Sequence, residues 1–331
     1  MPATAEFRLA IYNQKGGIAK TTTTVNLAAG LAALGRSVLV IDLDSQGNAT
    51  RSLPVDEAAD VDLFALIEGA GPMDRGIVPT RLPGVSLLPA TLRLAAIETG
   101  LMDQLKTQRS LQHLLYSSAL PFDFVLFDCP PAFGLLSVNA LVAADAVLVP
   151  VAPSAFSWQG LGRTLELVKK LQAGINKDLT LEGILLTLME DDPVAKEFAT
   201  AYRREHKTVL DIEIPRDRDV VRASTRDLPV VVTSPMAPAS LGYLALAQLI
   251  ARHRPAPPPG VSREDALARL TQWQEALADR PKTTPVSAPS FAGQSRAAAG
   301  GGQSRWLWFL AGLVVGIVTG YGAIPIIRFL S

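Results

Sequence analysis

The chain has 331 residues, with 31 Lys and Arg residues against 31 Asp and Glu residues, and 48% of its residues are hydrophobic. This length predicts one domain of roughly 250 residues with appendages, and the balanced charge excludes a dedicated nucleic-acid binder with a basic surplus. A single cysteine, Cys129, excludes an internal disulfide framework and a metal site built on several thiolates of one chain.

The first part of the chain, up to about residue 254, alternates short apolar runs with helix-length amphipathic stretches. This alternation is typical of βαβ units, and runs such as VLVID and FVLFD indicate strands covered by helices on both faces. We therefore predict an α/β fold with a doubly wound, mostly parallel sheet in a domain of residues 1–254. The predicted strands are residues 9–13, 37–43, 85–88, 124–128, 146–151, 181–186 and 209–214. No secretory signal is apparent at the N-terminus, so we expect this domain in the cytoplasm.

The segment 255–280 begins with the proline-rich spacer RPAPPPG, which cannot continue a helix. Ser262 then predicts a helix N-terminus, with Asp265 three residues later. A single apolar stripe follows, formed by Leu267, Leu270, Trp273 and Leu277. This short amphipathic helix either docks back on the domain or binds a partner.

The C-terminal region predicts a tether followed by a membrane span. Residues 281–305 are rich in Pro, Ser, Ala and Gly, which favours a flexible linker. Residues 306–328 contain an uncharged apolar stretch from Trp306 to Ile327, long enough at about 1.5 Å per residue to cross a hydrocarbon layer of roughly 30 Å. A buried core helix is the alternative. Small residues at Gly312, Gly316 and Gly320 share one helical face and predict a helix dimer, unless the pattern is incidental.

The most informative motif is KGGIAKTT, residues 15–22, between a predicted strand and a helix that continues to about Leu34. Glycines in such a loop let backbone N–H groups surround phosphate oxygens, and the helix N-terminus adds a favourable dipole. Lys20 can reach the β- and γ-phosphates, and the Thr21 hydroxyl can bind Mg²⁺. A simple glycine-rich surface turn is the alternative.

Carboxylates follow two further predicted strands, in IDLDSQGNAT (Asp42 and Asp44) and in FVLFDCPP (Asp128). Ligands of open α/β sheets bind beyond the carboxyl ends of the strands. Carboxylates there, beside a phosphate loop, are expected to handle Mg²⁺ and water.

These motifs resemble the ParA/MinD family of P-loop ATPases with a deviant Walker A sequence. KGGIAKTT is similar to that Walker A loop, IDLDSQGNAT to switch I, FVLFDCPPAFGLLSVNAL to Walker B with switch II, and IPRDRDVVRAS to a late IPR segment. The resemblance covers about residues 9–249 and implies the P-loop NTPase fold, ATP and Mg²⁺ as ligands, and an ATP-dependent homodimer.

The resemblance also implies residue roles. Catalytic roles fall on Lys15, which reaches the partner subunit's phosphates, on Lys20, and on Asp44, which orients the attacking water. The implied nucleotide contacts are Lys15, Gly16, Gly17, Ile18, Ala19, Lys20, Thr21, Thr22 and Pro215. The implied metal set is Thr21, Asp42, Asp44 and Asp128.

Two of the departures from the family pattern bear on function. Ala19 replaces the glycine that usually precedes the catalytic lysine, and a β-carbon at a position favouring positive φ costs on the order of 1 kcal/mol. Asp192 stands where many relatives carry a DNA-binding arginine, and the basic residues between Arg203 and Arg226 alternate with acidic ones. A basic DNA-binding face and a solvated mixed-charge surface are both compatible with this pattern.

Three functions compete. The first is a membrane-anchored ATPase switch that dimerises on ATP, is stimulated by an adaptor protein and positions a plasmid, a chromosome or a protein complex. The second is a membrane scaffold that binds ATP with little hydrolysis. The third, an iron–sulfur carrier, requires paired cysteines, and Cys129 alone argues against it.

Overall fold

The computed structural model describes residues 6–98, 109–118, 120–255 and 260–278. Their strands are β1 (Phe7–Ile11), β2 (Val38–Asp42), β3 (Val78–Pro79), β4 (Val85–Leu88), β5 (Phe124–Asp128), β6 (Ala146–Val151), β7 (Thr180–Met189) and β8 (Val209–Pro215). The helices are α1 (Lys20–Ala33), α2 (Asn48–Ser52), α3 (Leu63–Ile67), α4 (Ala95–Glu98), α5 (Ser110–Tyr116), α6 (Leu135–Ala143), α7 (Ala155–Ala173), α8 (Pro193–Glu205), α9 (Arg218–Ser224), α10 (Val230–Thr233), α11 (Pro238–Ile250) and α12 (Arg263–Ala278).

The strands form one eight-stranded sheet in the order β3-β4-β2-β5-β1-β6-β7-β8. Neighbouring strands are parallel except for the β3–β4 pair, which is antiparallel. The predicted mostly parallel α/β sheet is therefore confirmed. The two-residue strand β3 was not predicted, because it is too short to show a hydrophobic period and one of its residues is proline, which is tolerated at a sheet edge.

Helices cover both faces of the sheet, because alternate residues of each strand point to opposite sides. In β1, Leu9 packs in the core on one face with α1, α10 and α11, whereas Ala10 packs on the other face with α3, α5, α6 and α7. Two apolar cores result, and the central strands β2 and β5 are buried over their whole length. This is the physical reason for their continuous aliphatic sequences.

Helices α1 and α11 approach each other closely at Gly30. A β-carbon on Gly30 would lie 2.8 Å from the Cβ of Ala247, well inside van der Waals contact. The glycine therefore sets the distance between these two helices, and through α1 it helps to position the loop that precedes Lys20.

Helix α12 begins with a reciprocal cap. The Ser262 N–H donates to Asp265 Oδ2 at 3.0 Å, and the Asp265 N–H donates to Ser262 Oγ at 3.1 Å. The apolar stripe packs on the domain, with Leu270 buried in the core that contains α1 and α10. In addition, the Gln274 amide donates to the Thr233 carbonyl at 2.8 Å. Docking on the domain is thus the alternative that the structure shows.

Within the described ranges, no helix combines the length and the apolar character needed to cross a membrane. The predicted linker of residues 281–305 and the predicted span of residues 306–328, including Gly312, Gly316 and Gly320, lie outside the described residues.

Candidate nucleotide-binding site

The phosphate-loop motif connects β1 to the first turn of α1, and two of its residues have left-handed backbone conformations. Gly17 has φ 70°, and Ala19 has φ 66° and ψ 30°. The positive φ expected at position 19 is therefore present although the residue is alanine. Buried Ile18 anchors this turn, because its carbonyl accepts a hydrogen bond of 3.0 Å from the Thr187 hydroxyl of β7.

Lys20 lies at the base of the loop and is only 7% exposed. Its Nζ donates to the Lys15 carbonyl at 2.8 Å. Burial lowers the pKa of Lys20, while Asp128, Cys129 and Asp44 oppose that shift. An ammonium group held among carboxylates and only partly hydrated is well suited to bind phosphate oxygens.

Lys15 takes a different direction from Lys20. Its Nζ donates to Ser157 Oγ at 2.9 Å and to Ser154 Oγ at 3.3 Å, both at the start of α7. Its backbone N–H donates to Asn13 Oδ1 at 3.2 Å. The predicted role of Lys15 across a dimer stays a prediction, since the structure describes one chain.

Thr21 and Asp128 are brought together as the strand-end argument predicted. The Thr21 hydroxyl donates to Asp128 Oδ2 at 2.8 Å, and the Thr24 hydroxyl donates to Asp128 Oδ1 at 2.9 Å. Asp128 is fully buried at the end of β5. A hydroxyl and a carboxylate so placed are oxygen ligands of the kind that Mg²⁺ prefers.

Asp42 performs a structural task that the sequence did not reveal. Its Oδ1 accepts from the Asp44 N–H at 3.1 Å, and its Oδ2 accepts from both the N–H and the hydroxyl of Thr50 at 2.8 Å. With its oxygens engaged and its side chain fully buried, Asp42 holds the 44–50 segment in place. Its assignment to the metal set stays a prediction.

Asp44 is half-buried, and it lines a cavity in front of the loop. Its Oδ1 accepts a hydrogen bond of 3.0 Å from the Gln46 N–H, which closes a tight turn. The backbone conformation therefore presents this carboxylate at the mouth of the site.

The carboxylates at the ends of β2 and β5 interact electrostatically. Asp42 and Asp128 are register partners on neighbouring parallel strands. Burial raises the pKa of Asp128 to about 8, assisted by the negative charge of Asp42 and opposed by hydrogen bonds from Thr21 and Thr24. Burial also raises the pKa of Asp42 to about 6, against hydrogen bonds from Thr50. A cation close to the pair would relieve this unfavourable accumulation of negative charge.

The cavity has a volume of about 590 Å³. The predicted site residues that line it are Gly16, Gly17, Ala19, Lys20, Thr21, Thr22 and Asp44. Lys15, Ile18, Asp42, Asp128 and Pro215 are not among the described residues of its lining. Pro215 instead ends β8 beside Met189 of β7, so its predicted nucleotide contact is not supported by this lining.

A second part of the cavity wall was not predicted from the sequence. It consists of Val220, Ala223 and Ser224 of α9 together with residues 227–230. Asn26 ties this wall to α1, because its Oδ1 accepts a hydrogen bond of 3.0 Å from the Val231 N–H. The motif IPRDRDVVRAS had indicated a nucleotide contact in this region. The residues of the motif that line the cavity are Val220, Ala223 and Ser224 in its second half, and Pro215 is not among them.

The donor set fits a magnesium ion that is bound together with phosphate. Across the described portion of the chain, no group of three or more His, Cys, Asp or Glu side chains is arranged to hold a metal. Mg²⁺ commonly uses only one or two protein ligands, with substrate phosphates and water completing its shell. Thr21 and Asp128, beside the cavity that Lys20 lines, meet that requirement.

Comparisons with known proteins agree with this geometry. Residues 8–181 match the family model described as an AAA domain. The sporulation initiation inhibitor protein Soj of Bacillus subtilis is 36% identical over 252 residues, covering 73% of this chain and 97% of Soj. The chromosome partitioning protein ParA of Caulobacter vibrioides is 35% identical over 252 residues, covering 74% of this chain and 94% of that protein.

Among solved structures, that of cobyrinic acid a,c-diamide synthase from Mycobacterium smegmatis contains bound ADP and magnesium. It matches with a TM-score of 0.64 and 31% identity, covering 75% of this chain and 95% of the other. One conclusion follows from the phosphate loop, the carboxylates at the strand ends, the topology of the sheet and the similarity to these proteins. The chain belongs to the ParA/MinD family of P-loop ATPases.

Proposed function

We propose that this protein is a Mg²⁺-dependent ATP hydrolase that dimerises on ATP and acts as a switch for positioning a plasmid, a chromosome or a protein complex at a membrane. The observation that carries the proposal is the convergence of Lys20, Thr21 and Asp128 beside a cavity that also exposes Asp44. The ADP and magnesium in the related Mycobacterium smegmatis structure give further support.

Each side chain has a role that its surroundings support. Lys20, partly desolvated, stabilises negative charge on the β- and γ-phosphates, and Thr21 with Asp128 holds Mg²⁺. Bound Mg²⁺ supplies charge neutralisation at the phosphates. Asp44 orients the attacking water from the mouth of the cavity. The α9–α10 wall, with Val220, Leu228 and Pro229, offers apolar surface for the nucleoside.

The dimer and the membrane complete the proposal. Lys15 reaches the phosphates of a second subunit, which couples nucleotide binding to assembly. Residues 306–328 anchor the chain in a membrane, with the ATPase domain in the cytoplasm, and the shared anchor raises the effective concentration of subunits. An adaptor protein stimulates hydrolysis and resets the switch.

The surface that carries the basic residues between Arg203 and Arg226 contains ion pairs, which supports a mixed-charge surface over a basic DNA-binding face. Arg216 pairs with Glu190 at 2.6 Å, and Arg203 pairs with Glu213 at 2.8 Å. Asp192 caps α8, accepting from the Val194 N–H at 2.9 Å and from the Ala195 N–H at 3.0 Å. These contacts give the acidic residue at position 192 a structural task. We therefore propose that cargo is held through a protein adaptor rather than by this face.

The test is ATP turnover by the purified full chain in detergent. We expect Mg²⁺-dependent hydrolysis that Asp44→Ala lowers by about 100-fold or more, as for loss of a group that handles a proton or water in the transition state. Asp74→Ala, which removes an exposed carboxylate from the surface, is the matched control and should retain wild-type turnover. Equal activity of Asp44→Ala and wild type would contradict the assigned role of Asp44.

A second candidate is the ATP-binding membrane scaffold, and Ala19 favours it. An alanine held at φ 66° stores strain in the loop that must surround the phosphates. Tight ATP binding without turnover by the wild-type chain would support the scaffold. Recovery of turnover in Ala19→Gly would show that this strained position limits hydrolysis.

A further inference from the structure

Helix α10 has only four residues and lies between the candidate nucleotide cavity and helix α12. On one side, residues 227–230 line the cavity in front of the phosphate loop. On the other side, Val232 and Thr233 line a second cavity of about 390 Å³, which residues at the end of α12 also line. Leu228 lines both cavities, so the two spaces are separated by this short segment alone.

Neither its own helix nor close packing toward α12 fixes the position of this segment. A helix of four residues is far below the length at which a helix is stable by itself. Its N-cap residue, Pro229, makes no side-chain capping hydrogen bond. The second cavity leaves space behind the segment, and side chains that border such a space lack the contacts of a dense core. The segment therefore depends on specific contacts with neighbouring helices.

Two side-chain hydrogen bonds from neighbouring helices hold the backbone of α10. The Val231 N–H donates to Asn26 Oδ1 of α1 at 3.0 Å. The Thr233 carbonyl accepts from Gln274 Nε2 of α12 at 2.8 Å. Carbonyls in the last turn of a helix have no partner within that helix, so the Gln274 amide satisfies a group that α10 leaves free. Because Thr233 is only 8% exposed, loss of this donor is costly.

Helix α12 is in turn fixed to α1, the helix that begins in the phosphate loop. Leu270 is 1% exposed and Ala266 is fully buried, both in the core that contains α1. The Arg269 guanidinium donates to the carbonyl of Ala33, the last residue of α1, at 3.1 Å. Gln274 follows Leu270 by four residues and lies on the same side of α12. Burial of Leu270 therefore holds the Gln274 amide against α10.

We infer that α12 supports the nucleotide cavity, and that Leu270 and Gln274 are positioning residues that hold α10 and thereby raise the affinity for nucleotide. Binding of a nucleoside against residues 227–230 and docking of α12 are then coupled, and this coupling is reciprocal. The supporting helix follows residues 9–249, the part of the chain that resembles the ParA/MinD family. This inference rests on the proposed function, because it requires a nucleotide in the cavity.

The test measures the dissociation constant of Mg²⁺–ADP for the full chain in detergent, by equilibrium dialysis. Gln274→Glu keeps the shape of the side chain but replaces the donor to the Thr233 carbonyl with a carboxylate oxygen. It should raise this constant by about tenfold, as expected when a hydrogen bond is broken and its acceptor stays buried. Leu270→Ala leaves a cavity beneath α12 and should raise the constant as well. Gln272→Glu makes the same change at an exposed position of α12 and is the matched control, which should leave the constant unchanged.

Hydrogen exchange separates support of the cavity from a merely structural role. Bound Mg²⁺–ADP should slow exchange of the α12 amides of the wild-type chain by a larger factor than exchange in α8, because α12 contacts α10. Helix α8 is the matched element, since it has 13 residues against 16 in α12 and packs in the other core. A general gain in stability on ligand binding would slow both helices alike. In Gln274→Glu, the additional slowing in α12 should be lost.

Each outcome has a defined meaning. Equal affinities of wild type and Gln274→Glu, or equal slowing of α8 and α12, would overturn the inference and leave the proposed function intact. The exchange comparison uses the wild-type chain, so it decides the question even if Leu270→Ala does not fold. Absence of Mg²⁺–ADP binding by the wild-type chain would overturn the proposed function and this inference together.

Discussion

Replacing Gly30 by alanine is expected to destabilise the domain although alanine is the better helix former. The new β-carbon would lie 2.8 Å from Ala247 Cβ, roughly 1 Å closer than the optimal separation of two carbon atoms. Overpacking of this kind costs about 1–3 kcal/mol, and the gain in helix propensity returns up to about 1 kcal/mol. We therefore expect the free energy of unfolding to fall by about 1–2 kcal/mol.

Urea unfolding of the full chain in detergent, followed by circular dichroism, measures this change. The matched variant is Gly30→Ala/Ala247→Gly, which moves one methyl group from α11 to α1 and removes the clash. We expect it to regain most of the lost stability, with a coupling energy of about 1–2 kcal/mol in the double-mutant cycle. A Gly30→Ala protein as stable as wild type, or a cycle without coupling, would refute the packing argument.

Two other predictions concern the site and the tail. In EDTA, the free energy of unfolding should fall by on the order of 1 kcal/mol per pH unit as the pH rises from about 6 toward 8. Folded Asp128, with its pKa raised to about 8 by burial, retains a proton there that the unfolded chain has released. Asp128→Asn should flatten the slope in denaturant titrations, and an unchanged slope would remove Asp128 as its cause. In flotation assays, the full chain should rise with liposomes whereas a chain ending at Ala278 should not; flotation of both would contradict the predicted span of residues 306–328.

Most of the sheet could be predicted because its signals are local. VLVID and FVLFD are buried on both faces, so their apolar runs identify β2 and β5 without knowledge of their neighbours. The phosphate loop is equally local, since KGGIAKTT contains the residues that give a turn, a helix start and a buried lysine. A capping box and an apolar stripe likewise located α12.

Tertiary structure decided the contacts between residues that are distant in the sequence. The cavity wall formed by Val220, Ala223 and Ser224 faces a loop some 200 residues earlier in the chain. Ser154 and Ser157, which accept hydrogen bonds from Lys15, lie at the start of the helix that follows β6, and no periodic pattern links them to the loop. Hydrophobic periodicity and turn residues indicate which secondary structure each segment favours by itself. The packing of helices and the register of strands then determine which side chains contact each other. The sequence alone therefore located the parts of the site, and only the folded chain showed that Asp42 supports a neighbouring segment while Asp128 meets Thr21.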